Sequence, residues 1–204
     1  MIGIIDYGMG NLRSVENALL KIGKPCIITK DKTILSTCDK WILPGVGAFQ
    51  DMMKNIEDCD LYDFIKEEVG IKKKPLLGIC LGMQALFDSS SENGYTKGFG
   101  FIKGDVLLME DETVRIPHIG WHLLERTGQH VLFDRMSSKP FMYYVHSYCA
   151  MNYENEDLYG YSMYGSLKIP GLVGHDNVLG CQFHPEKSGE DGLKILQYFV
   201  EEFI

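Results

Sequence analysis

The sequence lacks the features that mark a membrane protein, a secreted protein or a disulfide-built scaffold. No apolar run approaches the length that spans a bilayer, and the chain opens without a basic region or a signal-peptide core. The cysteines form no C-x-x-C pair; the six lie scattered at positions 26, 38, 59, 80, 149 and 181. This spacing predicts reduced thiols rather than a disulfide framework or a zinc site. We therefore expect a cytosolic protein with no membrane partner and no bound metal.

Positive charge is scarce as well. The chain has 20 Lys and Arg residues against 28 Asp and Glu residues, which gives a formal net charge of −8. A chain with this balance repels polyanions, and its one basic cluster, at residues 72–74, is typical of a solvated loop. Nucleic acid is therefore not an expected partner.

The remaining composition is that of an ordinary globular protein. Hydrophobic residues make up 45% and charged residues 24% of the 204, which excludes disordered, collagen-like and coiled-coil chains. The length predicts a single domain across residues 1–204, with a core large enough to be stable without disulfide bonds or structural metal ions.

Short apolar runs alternate with segments of helical spacing through the first hundred residues. The predicted strands are residues 2–6, 26–29, 41–43 and 76–80, and the predicted helices are residues 12–22 and 61–69. Strands that are apolar along their full length predict a parallel sheet with helices on both faces. Later runs are shorter and more aromatic, which predicts mixed or antiparallel strands over 99–164, a strand at 178–183 and a closing helix at 193–203. The predicted fold class is α/β and flavodoxin-like, with a mostly parallel sheet and a mixed region in the second half.

The most informative segment is Gly78-Ile79-Cys80-Leu81-Gly82, between an apolar strand and a helical pattern. It has the G-x-nucleophile-x-G pattern of a nucleophile elbow, with Cys in place of Ser. Two glycines let such a chain turn sharply, and the helix N-terminus favours a thiolate and offers N–H groups to an oxyanion. The alternative is a buried, inert cysteine, which is also our interpretation of the other five.

A cysteine nucleophile needs a base and a group that orients the base. His184 and Glu186 stand two residues apart at the end of an apolar strand, with Pro185 between them. On an extended backbone this spacing points both side chains to one side, so the carboxylate can bond the imidazole and fix its tautomer. A surface turn is the alternative. The other five histidines lack such a carboxylate and are interpreted as structural or solvated.

A third segment, Pro44-Gly45-Val46-Gly47, directly follows a predicted strand. Its two glycines suit a backbone that aims an N–H group at a developing oxyanion. A plain turn is the alternative, and on this segment alone it is the simpler one.

Together these three segments resemble the class I (triad) glutamine amidotransferases. Residues 6–12, 117–121 and 143–148 make the chain similar, within that class, to the family of glutaminase subunits of imidazole glycerol phosphate synthases, from residue 1 to the last helix. The resemblance implies that glutamine is hydrolysed to glutamate and ammonia without a cofactor. It also implies a heterodimer with a (β/α)8-barrel cyclase, which uses the ammonia to make imidazole glycerol phosphate and aminoimidazole carboxamide ribotide in histidine biosynthesis.

The resemblance implies a role for each matching residue. Cys80 attacks the amide carbon, His184 exchanges protons with the thiol and the leaving ammonia, and Glu186 orients His184. The implied oxyanion donors are the backbone N–H groups of Leu81 and of Val46 or Gly47. The implied substrate-binding residues are Gly45, Gln84, Glu92, His146, Ser147 and Tyr148, and the implied partner-facing residues are Asn11, Trp121 and Tyr143. For Glu92 a charged loop is the alternative, and for Trp121 it is core packing.

Four other functions stay open at this point. Another amidotransferase of the class, serving anthranilate, GMP or pyridoxal phosphate synthesis, would keep the triad but lack the segments at 7–11 and 120–121. A paralogue could feed ammonia to a related barrel enzyme that makes an amidine sugar. A nucleotide-binding module is suggested by Gly8-Met9-Gly10, but the third glycine of that fingerprint is replaced by Arg13. An inactive regulatory subunit is disfavoured because all three triad residue types are present.

Overall fold

A computed structural model describes residues 1–203 of the chain. The strands within that range are β1 (Ile2–Ile5), β2 (Cys26–Thr29), β3 (Lys40–Gly45), β4 (Leu76–Cys80), β5 (Ser89–Ser90), β6 (Thr96–Lys97), β7 (Asp105–Leu108), β8 (His118–Leu123), β9 (Glu125–Arg126), β10 (Phe141–His146), β11 (Tyr148–Met151), β12 (Leu158–Tyr164), β13 (Leu167–His175) and β14 (Val178–Cys181). The helices are α1 (Leu12–Lys21), α2 (Lys32–Thr37), α3 (Phe49–Asp58), α4 (Tyr62–Ile65), α5 (Leu81–Gln84), α6 (Val131–Arg135) and α7 (Gly189–Glu201). A π-helical turn (Lys66–Ile71) continues α4, and 3-10 turns cover Asn155–Asp157 and Pro185–Lys187.

The largest sheet among the described residues has eight strands in the order β2-β1-β3-β4-β14-β13-β12-β9. Its first five strands pair in parallel, and β13, β12 and β9 extend it as antiparallel neighbours. Two smaller sheets are not hydrogen-bonded to it: the antiparallel ribbon of β8 and β10, and the sheet β11-β7-β5-β6. This arrangement confirms the predicted α/β fold, with its mostly parallel sheet and its mixed region in the second half.

Helices cover both faces of the large sheet. Successive side chains of a strand point to opposite faces, and central parallel strands are apolar on both. In β3, Ile42 belongs to the core shared with α1 and α7, whereas Trp41 and Leu43 belong to the core shared with α2, α3 and α4. All three side chains are fully buried. The sheet is therefore the middle layer of three, as the strand composition predicts.

The two ends of α1 are capped in different ways. Asn11 stands at the N-cap position, but its side chain accepts a 2.8 Å hydrogen bond from the Ser14 hydroxyl and none from a backbone N–H. Gly23 follows the helix with φ +73°, and its N–H donates to the carbonyl of Leu20. Glycine takes this left-handed conformation at little cost, so the helix ends there.

The sequence patterns do not predict α2, α3 or α6, and α6 lies inside the region predicted as mixed or antiparallel strands. The buried residues of α3 lie at positions 49, 52, 53 and 56, which is one face of a helix. The α2 helix has six residues and buries only Leu35, so it has almost no apolar period to detect.

The topology brings the three candidate segments to one edge of the sheet. β3 ends at Gly45, β4 ends at Cys80 and β14 ends at Cys181, shortly before His184. Because these strands are parallel, their carboxyl ends share one edge, where open α/β sheets bind ligands.

None of the helices in residues 1–203 combines the length and the apolar character needed to cross a bilayer. Over the same residues, no group of three or more His, Cys, Asp or Glu side chains is placed to hold a metal ion. All six cysteines are free thiols.

Candidate active site

Cys80 sits at a sharp turn between β4 and α5. Its backbone has φ 55° and ψ −110°, a conformation that a residue with a side chain rarely adopts. Strain of this kind costs of order 1–3 kcal/mol and is typical of functional sites. The turn places the thiol at the carboxyl edge of the sheet, with 7% of the residue exposed.

The glycines of the elbow serve close packing rather than turning. Neither Gly78 nor Gly82 has a left-handed φ, so the prediction that they make the turn is wrong. A Cβ on Gly82 would lie 1.8 Å from the carbonyl oxygen of Leu43, and one on Gly78 would lie 2.5 Å from the carbonyl oxygen of Gly82. The absence of side chains lets β3, β4 and α5 meet backbone to backbone, and Cys80 itself makes the turn.

Gly45 has the same packing role and does not line the cavity at the site. A Cβ there would lie 2.6 Å from the backbone nitrogen of Gly82 and 2.7 Å from the Leu81 Cβ. The expectation that Gly45 binds substrate is corrected accordingly, because the residue is buried at the end of β3 against α5 and is not among the residues that line the cavity. Gly47, two residues later, has φ +94° and does line the cavity.

His184 and Glu186 form the predicted pair. The Nδ1 atom of His184 donates to the Oε1 atom of Glu186 at 2.8 Å, and both side chains are almost fully buried. A carboxylate accepts and cannot donate, so the proton is on Nδ1. The Nε2 atom is buried and has no hydrogen-bond partner among the described residues. The imidazole is thereby held with Nε2 available for proton exchange.

The charge state of His184 suits a thiolate neighbour. Burial alone lowers the pKa of this imidazole, but its interactions with Cys80 and Glu186 outweigh burial and raise the pKa to about 9. At neutral pH the ring is therefore an imidazolium. A neighbouring cation of this kind favours the thiolate form of a cysteine, which is the nucleophile.

A cavity of about 430 Å³ brings most of the predicted site residues together. Its lining includes the sequence-predicted residues Val46, Gly47, Cys80, Leu81, Gln84, Glu92, His146, Ser147, Tyr148 and His184. Glu186 lies outside the lining, on the far side of the His184 ring from Nε2. Two lining residues, Pro117 and Val145, have no predicted binding role.

The comparisons with known proteins agree with this geometry. The family model described as glutamine amidotransferase class-I matches residues 3–203. The chain is 45% identical over 205 residues to the imidazole glycerol phosphate synthase subunit HisH of Sulfurimonas denitrificans, with 98% of each chain covered. It is 47% identical over 199 residues to the protein of the same name from Bacillus cereus, with 98% of this chain and 93% of that one covered. The chain belongs to the class I glutamine amidotransferases. Within them, it belongs to the family of these HisH subunits.

Solved class I amidotransferase structures share the fold at low identity. A crystal structure of a glutamine amidotransferase superposes with a TM-score of 0.77 and 19% identity, covering 98% of this chain and 97% of that one. The structure of PurLQS from Thermotoga maritima gives a TM-score of 0.72 and 21% identity, covering 98% and 96%. At these identities the likeness supports the architecture alone.

Buried amides surround Cys80. The Nε2 atom of Gln84 donates to the carbonyl of Tyr148 at 2.8 Å and to Oε1 of Gln182 at 3.1 Å. Gln182 in turn donates to the Cys80 sulfur at 3.9 Å. No role is predicted for Gln182 from the sequence, although it lies two residues before His184.

Glu92 lines the cavity and also holds α3. Its Oε2 atom accepts a 2.8 Å hydrogen bond from the backbone N–H of Phe49, the first residue of that helix. Carboxylates are favoured at helix N-termini because the first N–H groups lack acceptors within the helix. Glu92 is thus tied to the fold, and the alternative of a merely solvated loop charge is excluded.

The loop after β1 packs against the Pro44–Gly47 segment rather than forming a nucleotide cradle. The hydroxyl of Tyr7 donates to the carbonyl of Pro44 at 2.8 Å. A Cβ on Gly47 would lie 2.8 Å from the methyl group of Met9. Burial, together with the nearby Cys80, raises the pKa of Tyr7 well above its usual range, so Tyr7 stays a neutral donor.

The predicted partner-facing aromatics share the outer face of the ribbon. Trp121 and Tyr143 are cross-strand neighbours, with ring centroids 5.9 Å apart. Trp121 is 52% exposed, so the alternative of core packing is excluded. Asn11 lies on a different element, at the start of α1.

Proposed function

We propose that this chain is the glutaminase subunit of an imidazole glycerol phosphate synthase and acts in the cytoplasm. It hydrolyses glutamine to glutamate and ammonia, and it passes the ammonia to a (β/α)8-barrel cyclase subunit bound as a 1:1 heterodimer. The observation that carries the proposal is that Cys80, at a strained elbow, and His184, bonded to Glu186, line the same cavity. The identity of 45–47% to HisH subunits over 98% of the chain supports the pathway.

The first half of the reaction forms a thioester. The Cys80 thiolate attacks the side-chain amide carbon of glutamine, and the carbonyl oxygen becomes an oxyanion. Backbone N–H groups of Leu81 and of Val46 or Gly47, which line the same cavity, are the proposed donors to it. The intermediate collapses with cleavage of the C–N bond, and His184 gives its Nε2 proton to the nitrogen, which leaves as ammonia.

The second half restores the enzyme. Water attacks the thioester carbon, and His184, now neutral, takes the proton from the water through Nε2. The second tetrahedral intermediate expels the Cys80 thiolate, and glutamate leaves. Glu186 keeps its hydrogen bond to Nδ1 throughout, so the ring does not rotate between the two proton transfers.

The remaining lining residues are proposed to hold the substrate. Gln84 has both of its observed hydrogen bonds on the amide nitrogen. Its amide oxygen is therefore left as an acceptor for a donor group of glutamine. Glu92, His146, Ser147 and Tyr148 complete this side of the cavity.

The test is glutamate release from glutamine by the purified chain, alone and with a histidine-pathway cyclase that carries its nucleotide ligand. We expect the rate to rise at least about tenfold with the loaded cyclase, because coupling between sites is typically worth 5–150-fold. The Cys80→Ala protein serves as the blank. A rate that the cyclase leaves unchanged would keep the glutaminase and remove this partner, and no release under any condition would contradict the glutaminase itself.

Replacing Trp121 with alanine is expected to weaken binding of the cyclase subunit about thirtyfold. An exposed Trp at the centre of an interface typically contributes about 2 kcal/mol, and Trp121 packs edge-to-face against Tyr143 on an outward face. Isothermal titration calorimetry measures the change. Ile71→Ala is the matched control, because Ile71 is 76% exposed but precedes β4, at the opposite edge of the sheet. Affinity within twofold of the unmodified chain in Trp121→Ala would contradict this placement of the interface.

A further inference from the structure

Two buried histidines face each other across the ribbon, behind the cavity. His118 and His146 are directly paired in the β8–β10 register, and the Nδ1 atom of His118 lies 2.9 Å from the Nε2 atom of His146. His146 lines the cavity, and His118 does not. The mechanism gives neither imidazole a proton to transfer.

The hydrogen bonds fix the tautomer of both rings. The Nδ1 atom of His146 lies 2.8 Å from the carbonyl oxygen of Tyr148, and a carbonyl only accepts, so this nitrogen carries a proton. In the neutral ring the Nε2 atom of His146 is then an acceptor. The Nδ1 atom of His118 must therefore be the donor, and its own Nε2 atom is left without a proton.

The surroundings keep both rings neutral. The His118 ring lies between the rings of Tyr144 and Tyr164, with centroids 4.7 and 4.1 Å away. Burial, with the neighbouring imidazoles, lowers the pKa of His118 to about 3. Burial also lowers the pKa of His146, to about 4. The Nε2 atom of His118 is buried and has no partner within residues 1–203, so it adds no competing hydrogen bond.

The carbonyl of Tyr148 connects this pair to the nucleophile. It accepts from His146 and also from the amide of Gln84. Gln84 continues to Gln182, which donates to the Cys80 sulfur. A fixed His146 thus holds in place the carbonyl that orients Gln84 in the cavity.

We infer that His118 is a positioning residue for glutamine binding, which acts by fixing the orientation of His146 through its Nδ1–H hydrogen bond to the Nε2 atom. This inference rests on the proposed glutaminase function. Loss of the His118 donor leaves the Nε2 atom of His146 buried and unpaired, and the ring can then rotate away from Tyr148. Gln84 loses its fixed acceptor, and the cavity no longer presents one arrangement to the substrate.

The test compares three variants in the complex with the loaded cyclase. His118→Phe keeps a ring between the two tyrosines but removes the donor, and we expect KM for glutamine to rise about tenfold, with kcat changed less, since one buried hydrogen bond is lost. His118→Asn places an amide N–H near the position of Nδ1, and we expect KM within about threefold of the unmodified chain. His122→Phe is the matched control: His122 packs against the His118 ring, with centroids 4.4 Å apart, and does not bond His146.

A spectroscopic readout separates this inference from the function on which it rests. In ¹⁵N NMR of the imidazole nitrogens, we expect His146 of the unmodified chain to carry its proton on Nδ1 and none on Nε2. In the His118→Phe protein we expect the ¹⁵N resonance of the His146 Nε2 atom to shift, because this nitrogen no longer accepts a hydrogen bond. This measurement needs no activity, so it still tests the pairing if the unmodified complex fails to hydrolyse glutamine.

Four results would overturn the inference. They are a proton on Nε2 of His146 in the unmodified chain, an unchanged KM in His118→Phe, an equal rise of KM in His122→Phe, and an equal rise in His118→Asn. The last two would assign the effect to ring packing instead of to the donor.

Discussion

Glutamate release is expected to fall by at least about 10⁴-fold when Cys80 is replaced by alanine, because covalent catalysis is lost and the remaining groups give only residual rates. The structure singles out this thiol by its strained turn, its place on the cavity and the His184 imidazolium beside it. A discontinuous assay of glutamate in the loaded complex measures the change. Mass spectrometry of the unmodified enzyme, quenched during turnover, is expected to show the thioester on the peptide that contains Cys80.

Two other buried thiols provide the controls for this prediction. Burial raises the pKa of Cys149 to about 12, and it raises the pKa of Cys181 further, with a contribution from Glu186. Both stay protonated at neutral pH and are poor nucleophiles. We expect Cys149→Ala and Cys181→Ala to retain glutaminase activity within a few-fold, the ordinary effect of a small change in a core. Substantial activity in Cys80→Ala, or its loss in both controls, would refute the assignment of the nucleophile.

The proposed catalytic residues are predictable from sequence because their spacing is local. An extended backbone at residues 184–186 would put His184 and Glu186 on one side and so predicts their contact. The contact is present, but β14 ends at Cys181 and Glu186 lies in a 3-10 turn, so the predicted backbone geometry is wrong at this point. These residues meet Cys80 because β4 and β14 pair in parallel. The apolar strands predict that the sheet is parallel, but they do not predict which strands are neighbours.

Contacts between distant segments are less accessible to sequence reasoning. Nothing local to Glu92 indicates that it bonds the first N–H of α3, 43 residues away. The facing of His118 and His146 likewise depends on the register of the ribbon, and a shift by one residue would put the two rings on opposite faces. The helix α3 differs, because its buried positions follow a helical period that is visible in the sequence.

The glycines show most clearly what a sequence pattern cannot predict. The pattern of the elbow predicts that glycine is required at positions 78 and 82, but it attributes the requirement to a sharp turn. A turn depends only on the local backbone, whereas the observed requirement comes from the close approach of two backbone segments. The required space depends on β3 passing over the start of α5, at Leu43. Only the three-dimensional arrangement contains that information.

The Gly82→Ala protein is expected to lose more than about 4 kcal/mol of its free energy of unfolding, because one methyl group must displace packed backbone. The new Cβ would lie 1.8 Å from the carbonyl oxygen of Leu43, about half of a normal contact distance between such atoms. Leu43 cannot retreat, since β3 is held between β1 and β4 and the Leu43 side chain is fully buried. For a chain of this size the loss lowers Tm by about 10 °C or more, as differential scanning calorimetry measures.

Activity in this variant is expected to fall with stability, and for a separate reason. Any movement of α5 away from β3 carries the Leu81 N–H and the Cys80 sulfur out of register with Val46 and Gly47, and misplacement by about 1 Å can cost 10²-fold in rate. Gly128→Ala is the matched control, because a Cβ at Gly128 has nothing within 4 Å and its φ is not left-handed. We expect Gly128→Ala to melt and react like the unmodified chain. A Gly82→Ala protein that melts within 2 °C of the unmodified chain and still hydrolyses glutamine would show that β3 and α5 are not packed backbone to backbone.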